Sequence, residues 1–248
     1  MDLEYNWTIV FSDEIFSRLS LNTEHSANVS LALLSICLTV PGTVVTVLLL
    51  LIFQRFWSFY QTNPIYCCFV SLSISTLVYL FSNFAVQIPC MLSSCSYTRV
   101  PWLMLILCAP NTLGYYVSHV TMLQISITKF CVFYPNVCPT ITTFHTVIAL
   151  AITWIFVAII VVAATFTGFA KYFDRKTFAF SYTPNSAIWD AFYSAFGEVA
   201  TTPIIFIAIL IIYRVYKLSK HSTTRNNNGE IAAVSLPQNK CCVERIVH

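Results

Sequence analysis

Charge is what this sequence has least of. Only 9% of its 248 residues are Asp, Glu, Lys or Arg, against 57% that are hydrophobic, whereas an ordinary soluble domain is about a quarter charged. A soluble fold with so few charges has little with which to cover its surface. Glycine is scarce too, with five residues in the whole chain. There is no glycine-rich phosphate loop, no Gly-x-Ser-x-Gly and no His-Glu-x-x-His, so the common hydrolytic and group-transfer chemistries lack their residues and no enzyme is expected. The ten cysteines have no zinc spacing and no companion histidines, so no metal or other cofactor is expected. The basic residues near the C-terminus are too few, and too little interleaved with aromatics, for nucleic acid.

The gaps between charges carry the main message. No charged residue occurs between Glu24 and Arg55, Arg55 and Arg99, Arg99 and Lys129, or Lys129 and Lys171. Each gap holds the ~20 apolar residues that cross a bilayer as a helix. The reading is an all-α, polytopic membrane helix bundle with five spans, near 29–53, 65–88, 102–128, 143–169 and 189–213. A transmembrane β-barrel would need ~10-residue segments of strict alternation, which these runs lack. Residues 1–28 form an acidic tail without the pattern of a secretory signal. Residues 214–248 form a polar tail, disordered around 221–230, where three asparagines follow one another.

The flanks set an expected orientation. The tail before the first span carries Asp2, Glu4, Asp13, Glu14 and Glu24 against Arg18 alone, with glycosylation sequons at Asn6 and Asn28. After the fifth span come Arg214, Lys217, Lys220 and Arg225. An extracellular N-terminus and a cytoplasmic C-terminus at the plasma membrane follow. Lys171, Arg175 and Lys176 dissent, since this arrangement puts them outside. Cys90 and Cys95 flank a short outer loop and are candidates for a disulfide.

Polar residues recur at helical spacing within the apolar runs. Ser71, Ser75, Tyr79, Asn83 and Gln87 lie four apart, as do Asn111, Tyr115 and His119, and again Asp190, Ser194 and Glu198. Ser35, Thr39 and Thr43 are in register beside an expected kink at Pro41-Gly42. Such stripes turn inward, as structural hydrogen bonds between helices or as the lining of a ligand cavity. Asn83, Gln87, Asn111, Tyr115, His119 and Glu198 are the candidate ligand residues. Glu198 is the only carboxylate well inside a span. The expectation is a neutral acid hydrogen-bonded to Asn111 or Tyr115, with no charged partner.

An acidic tail with a sequon, a kinked first span and a polar third span resemble the start of a serpentine receptor. Thr128-Lys129-Phe130-Cys131-Val132-Phe133-Tyr134-Pro135 is similar to the Asn-Arg-Phe…Phe-Pro stretch of nematode serpentine chemoreceptors of the x, g and u classes. The connection from Arg55 to Thr62, followed by Asn63-Pro64, suits the first cytoplasmic loop of that family. The resemblance implies the first five helices of a seven-transmembrane, G-protein-coupled fold. It also implies a small-molecule or peptide ligand outside, and a heterotrimeric G protein inside, near Lys129, Phe130 and Pro135. Lysine stands where the family has arginine, and a lysine point charge is not equivalent to arginine's planar fork. The segment from Lys171 to Ala187 has no cysteine, so it cannot form the family's disulfide to the third helix. The sixth and seventh helices are absent from the sequence, which suggests a shortened product. Such a chain could pair as a dimer or with a full-length receptor. The alternatives are a five-span transporter or channel subunit, or a non-signalling membrane partner of full-length receptors. Five spans do not divide into the matching halves that many transporters show.

Overall fold

The computed structural model describes residues 29–92, 101–137, 141–167, 169, 171–174, 178–182 and 187–227. Asn6 and Asn28 lie outside the described residues. The chain divides into two compact units with a boundary between Ala208 and Ile209.

The first unit is mostly helical. Helix α1 spans Val29–Arg55 with Pro41 inside it. The short α2, Trp57–Tyr60, fills the turn. Helix α3 spans Pro64–Ser82 and starts where the Asn63 side chain accepts a hydrogen bond from the Ile65 amide, with Pro64 in the first turn. Both devices satisfy or remove donors that a helix start leaves orphaned. A π-helical turn at Asn83–Gln87 leads into α4, Ile88–Leu92. Single π turns inside α-helices are frequent at functional sites, and this one ends two residues before Pro89, which cannot donate to the turn before it. Helix α5 spans Pro101–Phe133 and α6 spans Thr143–Phe166, the latter capped by Thr142. Strands β1, Lys171–Asp174, and β2, Ala179–Tyr182, form an antiparallel hairpin. Helix α7 runs Ala187–Asn227, and its residues to Ala208 belong to the first unit.

Among the described residues, four helical stretches are long and apolar enough to cross a membrane: Val29–Arg55, Pro64–Leu92, Thr143–Phe166 and Ala191–Lys217. Helix α5 is long enough, at 33 residues or about 50 Å, but carries buried polar residues instead. Asn111, Thr112, Thr121 and Thr128 are all buried. It packs against both α3 and α6 and contacts β1, so protein surrounds much of it. On α6, buried Leu150, Thr153, Val157, Val161 and Ala164 recur every three or four residues, while Ile152, Ile155, Phe156 and Ile159 face outward. That is the pattern of a helix with one face on protein and the other suited to lipid.

The closest approach is between α3 and α5. A methyl group built on Gly114 would lie 2.5 Å from the Ser75 carbonyl oxygen and 2.6 Å from the Tyr79 amide nitrogen, so only glycine fits there. Small residues at such a crossing let two backbones touch, the usual basis of helix association in membranes. Hydrogen bonds accompany it. Ser75 Oγ lies 3.0 Å from Ser118 Oγ, Ser82 Oγ donates to the Leu107 carbonyl at 2.8 Å, and Trp154 Nε1 donates to Ser71 Oγ at 3.0 Å.

Two features differ from the sequence reading. The all-α expectation misses the hairpin, whose strands are four residues each, too short for a periodic signal. A hairpin of this size has little stability of its own; this one is held by docking, with Phe173 only 1% exposed in a cluster with Met104, Leu105 and Cys108. In the second unit, α7 continues through His221 to Asn227, where disorder is expected from sequence. Extending an existing helix adds a hydrogen bond per residue without a new nucleation cost. The helix also carries outward-facing Ile209, Ile212 and Tyr213 before its basic residues.

Candidate functional site

The hairpin roofs a cavity of about 720 Å³, within the size range of small-molecule sites. Four groups of residues form it. Tyr79 and Gln87 come from the α3–α4 segment, and Asn111, Tyr115 and Tyr116 from one turn and a half of α5. Tyr193, Ser194, Gly197 and Glu198 come from α7, and Lys171, Phe178, Ala179, Phe180 and Tyr182 from the hairpin. All belong to the first unit.

The hairpin's register explains the roof. Lys171 pairs with Tyr182 across the ladder, and Phe173 with Phe180. Alternation in a strand places these four side chains on one face. Lys171 Nζ sits 5.0 Å from the Tyr182 ring centre and 5.6 Å from that of Phe180, within cation–π range. Phe178 turns the chain with a positive φ of 52°, a region that residues other than glycine seldom enter.

Lys171 also reaches into the helices, donating a hydrogen bond to Asn111 Oδ1 at 2.5 Å. This contact fixes the amide's orientation, since Nδ2 could not accept from an ammonium. Asn111 is 1% exposed, and its Nδ2 has no hydrogen-bond partner among the described residues. Burial pushes the Lys171 ammonium down to about 8, a shift that Cys108 opposes. Among the described residues no carboxylate pairs with Lys171, although Glu198 lines the same cavity.

An aromatic layer backs the site. Phe169 stacks on Tyr182 with ring centres 4.7 Å apart and on Tyr193 at 5.4 Å, and Tyr193 meets Tyr116 at 4.9 Å. Tyr116 Oη donates to the Tyr193 carbonyl at 3.4 Å, and Thr112 Oγ1 lies 3.3 Å from Tyr182 Oη. These contacts dock the first turns of α7 on α5 without close backbone approach.

Of the six candidate ligand residues, Gln87, Asn111, Tyr115 and Glu198 line the cavity together. Asn83 is buried in the π turn, with Oδ1 lacking a partner among the described residues. That wide turn breaks the four-residue register, so Tyr79 and Gln87 line the cavity without it. His119 lies one turn further along α5, where Nδ1 is 2.9 Å from the Tyr115 carbonyl and the ring rests on Tyr115 at 4.2 Å. The expected bond from Glu198 to Asn111 or Tyr115 is not formed. Asn111 Oδ1 is taken by Lys171, and Glu198 is exposed, with no hydrogen bond among the described residues. Glu198 has no charged partner among the described residues, although Lys171, which lies outside the spans, lines the same cavity. The side chain of Asp190 lies outside the described residues.

Elsewhere, Cys90 is disulfide-bonded while Cys37, Cys67, Cys68 and Cys108 are free thiols. Cys95, the expected partner, lies outside the described residues. At the far end of α5, Lys129 is exposed, Phe130 stacks on Tyr134 at 4.6 Å, and Pro135 follows the helix end in an exposed turn. No group of three or more His, Cys, Asp or Glu side chains that could hold a metal occurs among the described residues.

Sequence reasoning missed Lys171 and the aromatic residues of the hairpin. The one signal for Lys171 was its place on the wrong side under the charge-bias rule. The sequence matches no protein-family model and no curated protein.

Proposed function

We propose that this chain is a plasma-membrane receptor of the serpentine chemoreceptor type, with a small ligand received in the cavity beneath the hairpin. The observation that carries this reading is the relation between the two ends of α5. Asn111, Tyr115 and Tyr116 line the cavity near one end, and Lys129 stands exposed near the other. The 18 helical steps from Asn111 to Lys129 span about 27 Å of continuous helix, close to the thickness of a bilayer core. In this reading α5 is a fifth span. Its polarity is tolerated because protein, not lipid, covers it. The N-terminus and the hairpin face outward. Lys129, Phe130 and Pro135 meet a cytoplasmic partner, for which a heterotrimeric G protein is the candidate.

Two polar layers support the division of labour. Ser71, Ser75 and Ser118 are engaged in helix-to-helix bonds below the cavity, while Tyr79, Gln87 and Asn111 face the cavity itself.

The test is a second-messenger assay in cells expressing the chain at the surface, challenged with pools of small amphipathic compounds. A response that is lost in Lys129→Ala, at unchanged surface level, supports coupling through the inner end of α5. Uptake of a compound without any second-messenger response would overturn the receptor reading in favour of transport.

A further inference from the structure

We propose that the cavity takes a small amphipathic carboxylate, its anionic end on Lys171 Nζ and Asn111 Nδ2 and its apolar body on the aromatic wall. The inference rests on the receptor reading to the extent that the cavity receives a ligand, and it adds the chemical class.

Two observations converge on it. Lys171 is a cation with no carboxylate partner among the described residues, held by the neutral Asn111 Oδ1 and two aromatic rings. Its ammonium has three donors, and that hydrogen bond uses one of them. Independently, Asn111 Nδ2 is a buried donor without a partner on a residue that lines the cavity. Buried unpaired donors are uncommon and costly. Because Lys171 fixes the amide, both donors belong to one bonded pair beside the cavity; Nδ2 itself has no open surface, so a ligand held by Lys171 reaches it only after a small turn of the amide.

An ammonium and an amide N–H together match the two oxygens of a carboxylate. A phosphate dianion fits less well: one cation would leave it with uncompensated charge in a cavity that also holds Glu198. Around the two donors stand Tyr115, Tyr116, Phe180, Tyr182 and Tyr193. Such walls favour a flat or chain-like apolar body.

The experiment uses the full chain in detergent with a cysteine placed at Gly197. A methyl group there would meet nothing within 4 Å, so the thiol is accommodated. Three methanethiosulfonates serve as probes: the anionic sulfonatoethyl, the cationic trimethylammonioethyl and the neutral methyl compound. Each rate is divided by that of the neutral reagent, which removes differences in thiolate content. The unsubstituted chain sets the background from its native cysteines. The expected result is an anion-over-cation preference of about tenfold, lost in Gly197→Cys/Lys171→Gln and kept in Gly197→Cys/Lys171→Arg. In addition, 4-phenylbutyrate should slow labelling at concentrations where 4-phenylbutanol and 4-phenylbutylamine do not. A cation preference, or protection by the amine that depends on Glu198, overturns the carboxylate assignment while leaving a ligand cavity standing. Equal protection by all three phenyl compounds also overturns it. If none of the reagents labels Gly197→Cys in protein that elutes as a single folded species, the cavity is closed, and the receptor reading fails with the proposal.

Discussion

Lys171 and Asn111, 60 residues apart in sequence, are joined by a hydrogen bond from Nζ to Oδ1 that ties the hairpin to the centre of the bundle. The hairpin carries no cysteine. It is held by this bond, by Phe173 buried in the helices and by the Phe173–Phe180 ring contact across the ladder. Loss of the bond should therefore loosen the roof more than the helices. Lys171→Met should increase hydrogen exchange in residues 171–182 while leaving α3 and α5 protected. Equal deprotection of both regions would contradict this.

The pH dependence of Lys171 has two opposite signs. Its ammonium in the folded chain titrates near 8, below the ordinary lysine value of 10.5. Between those values the unfolded chain binds more protons, so stability should rise with pH across that window and be flat beyond it. Binding of a carboxylate such as 4-phenylbutyrate should instead weaken as pH passes 8, because the anchoring charge is lost. Cys108, Tyr182 and Glu198 also face Lys171 or its cavity, so the comparison is with Lys171→Met. The difference between the two unfolding-temperature profiles isolates this one group.

Gly114 and Gly197 should respond to alanine in opposite ways. At Gly114 the added methyl meets backbone of α3 at 2.5 Å and 2.6 Å, and overpacking of this kind costs about 1–3 kcal/mol. At Gly197 there is open space, and replacing a mid-helix glycine by alanine gains about 1 kcal/mol. Thermal unfolding in detergent should show a lowered midpoint for Gly114→Ala and an unchanged or raised one for Gly197→Ala. The reverse order would mean that α3 and α5 do not touch at Gly114.

The Trp154–Ser71 bond should be modest in energy. Hydrogen bonds between membrane helices average about 0.6 kcal/mol. A double-mutant cycle of Trp154→Phe and Ser71→Ala should return a coupling of that order. A coupling near zero would show that the 3.0 Å contact does not persist in the membrane.

Glu198 should matter for response and not for surface level. It is exposed to the cavity without a hydrogen bond among the described residues, so Glu198→Gln and Glu198→Ala leave no buried partner unsatisfied. Both variants should reach the cell surface at wild-type abundance, measured by labelling an N-terminal tag in intact cells. Retention of both inside the cell would show that the carboxylate is part of the folded core. The same tag, compared with one at the C-terminus, tests orientation: staining of the C-terminal tag without permeabilisation contradicts the odd number of spans and the cytoplasmic C-terminus.

Much of the helical layout is determined by the sequence alone. Charge-free runs of bilayer length, the Asn63-Pro64 start of α3 and the Thr142 cap of α6 are local features, and local physics is enough to read them. The inward placement of Asn111 and the polar character of α5 also follow from spacing, because a polar group against lipid is costly wherever the neighbours stand. What spacing cannot do is assign partners. Ser75 became a bond to Ser118 and Tyr79 a cavity wall because Gly114 brings α5 against α3 between them. Asn83 left the register through a π turn that no periodicity announces. Lys171 lies outside every span, and a lone lysine in a loop has many fates. Its role was decided only by tertiary structure, when a hairpin with little stability of its own docked through Phe173. That docking carried a charge to Asn111, where the low dielectric of the bundle makes an unpaired ammonium consequential.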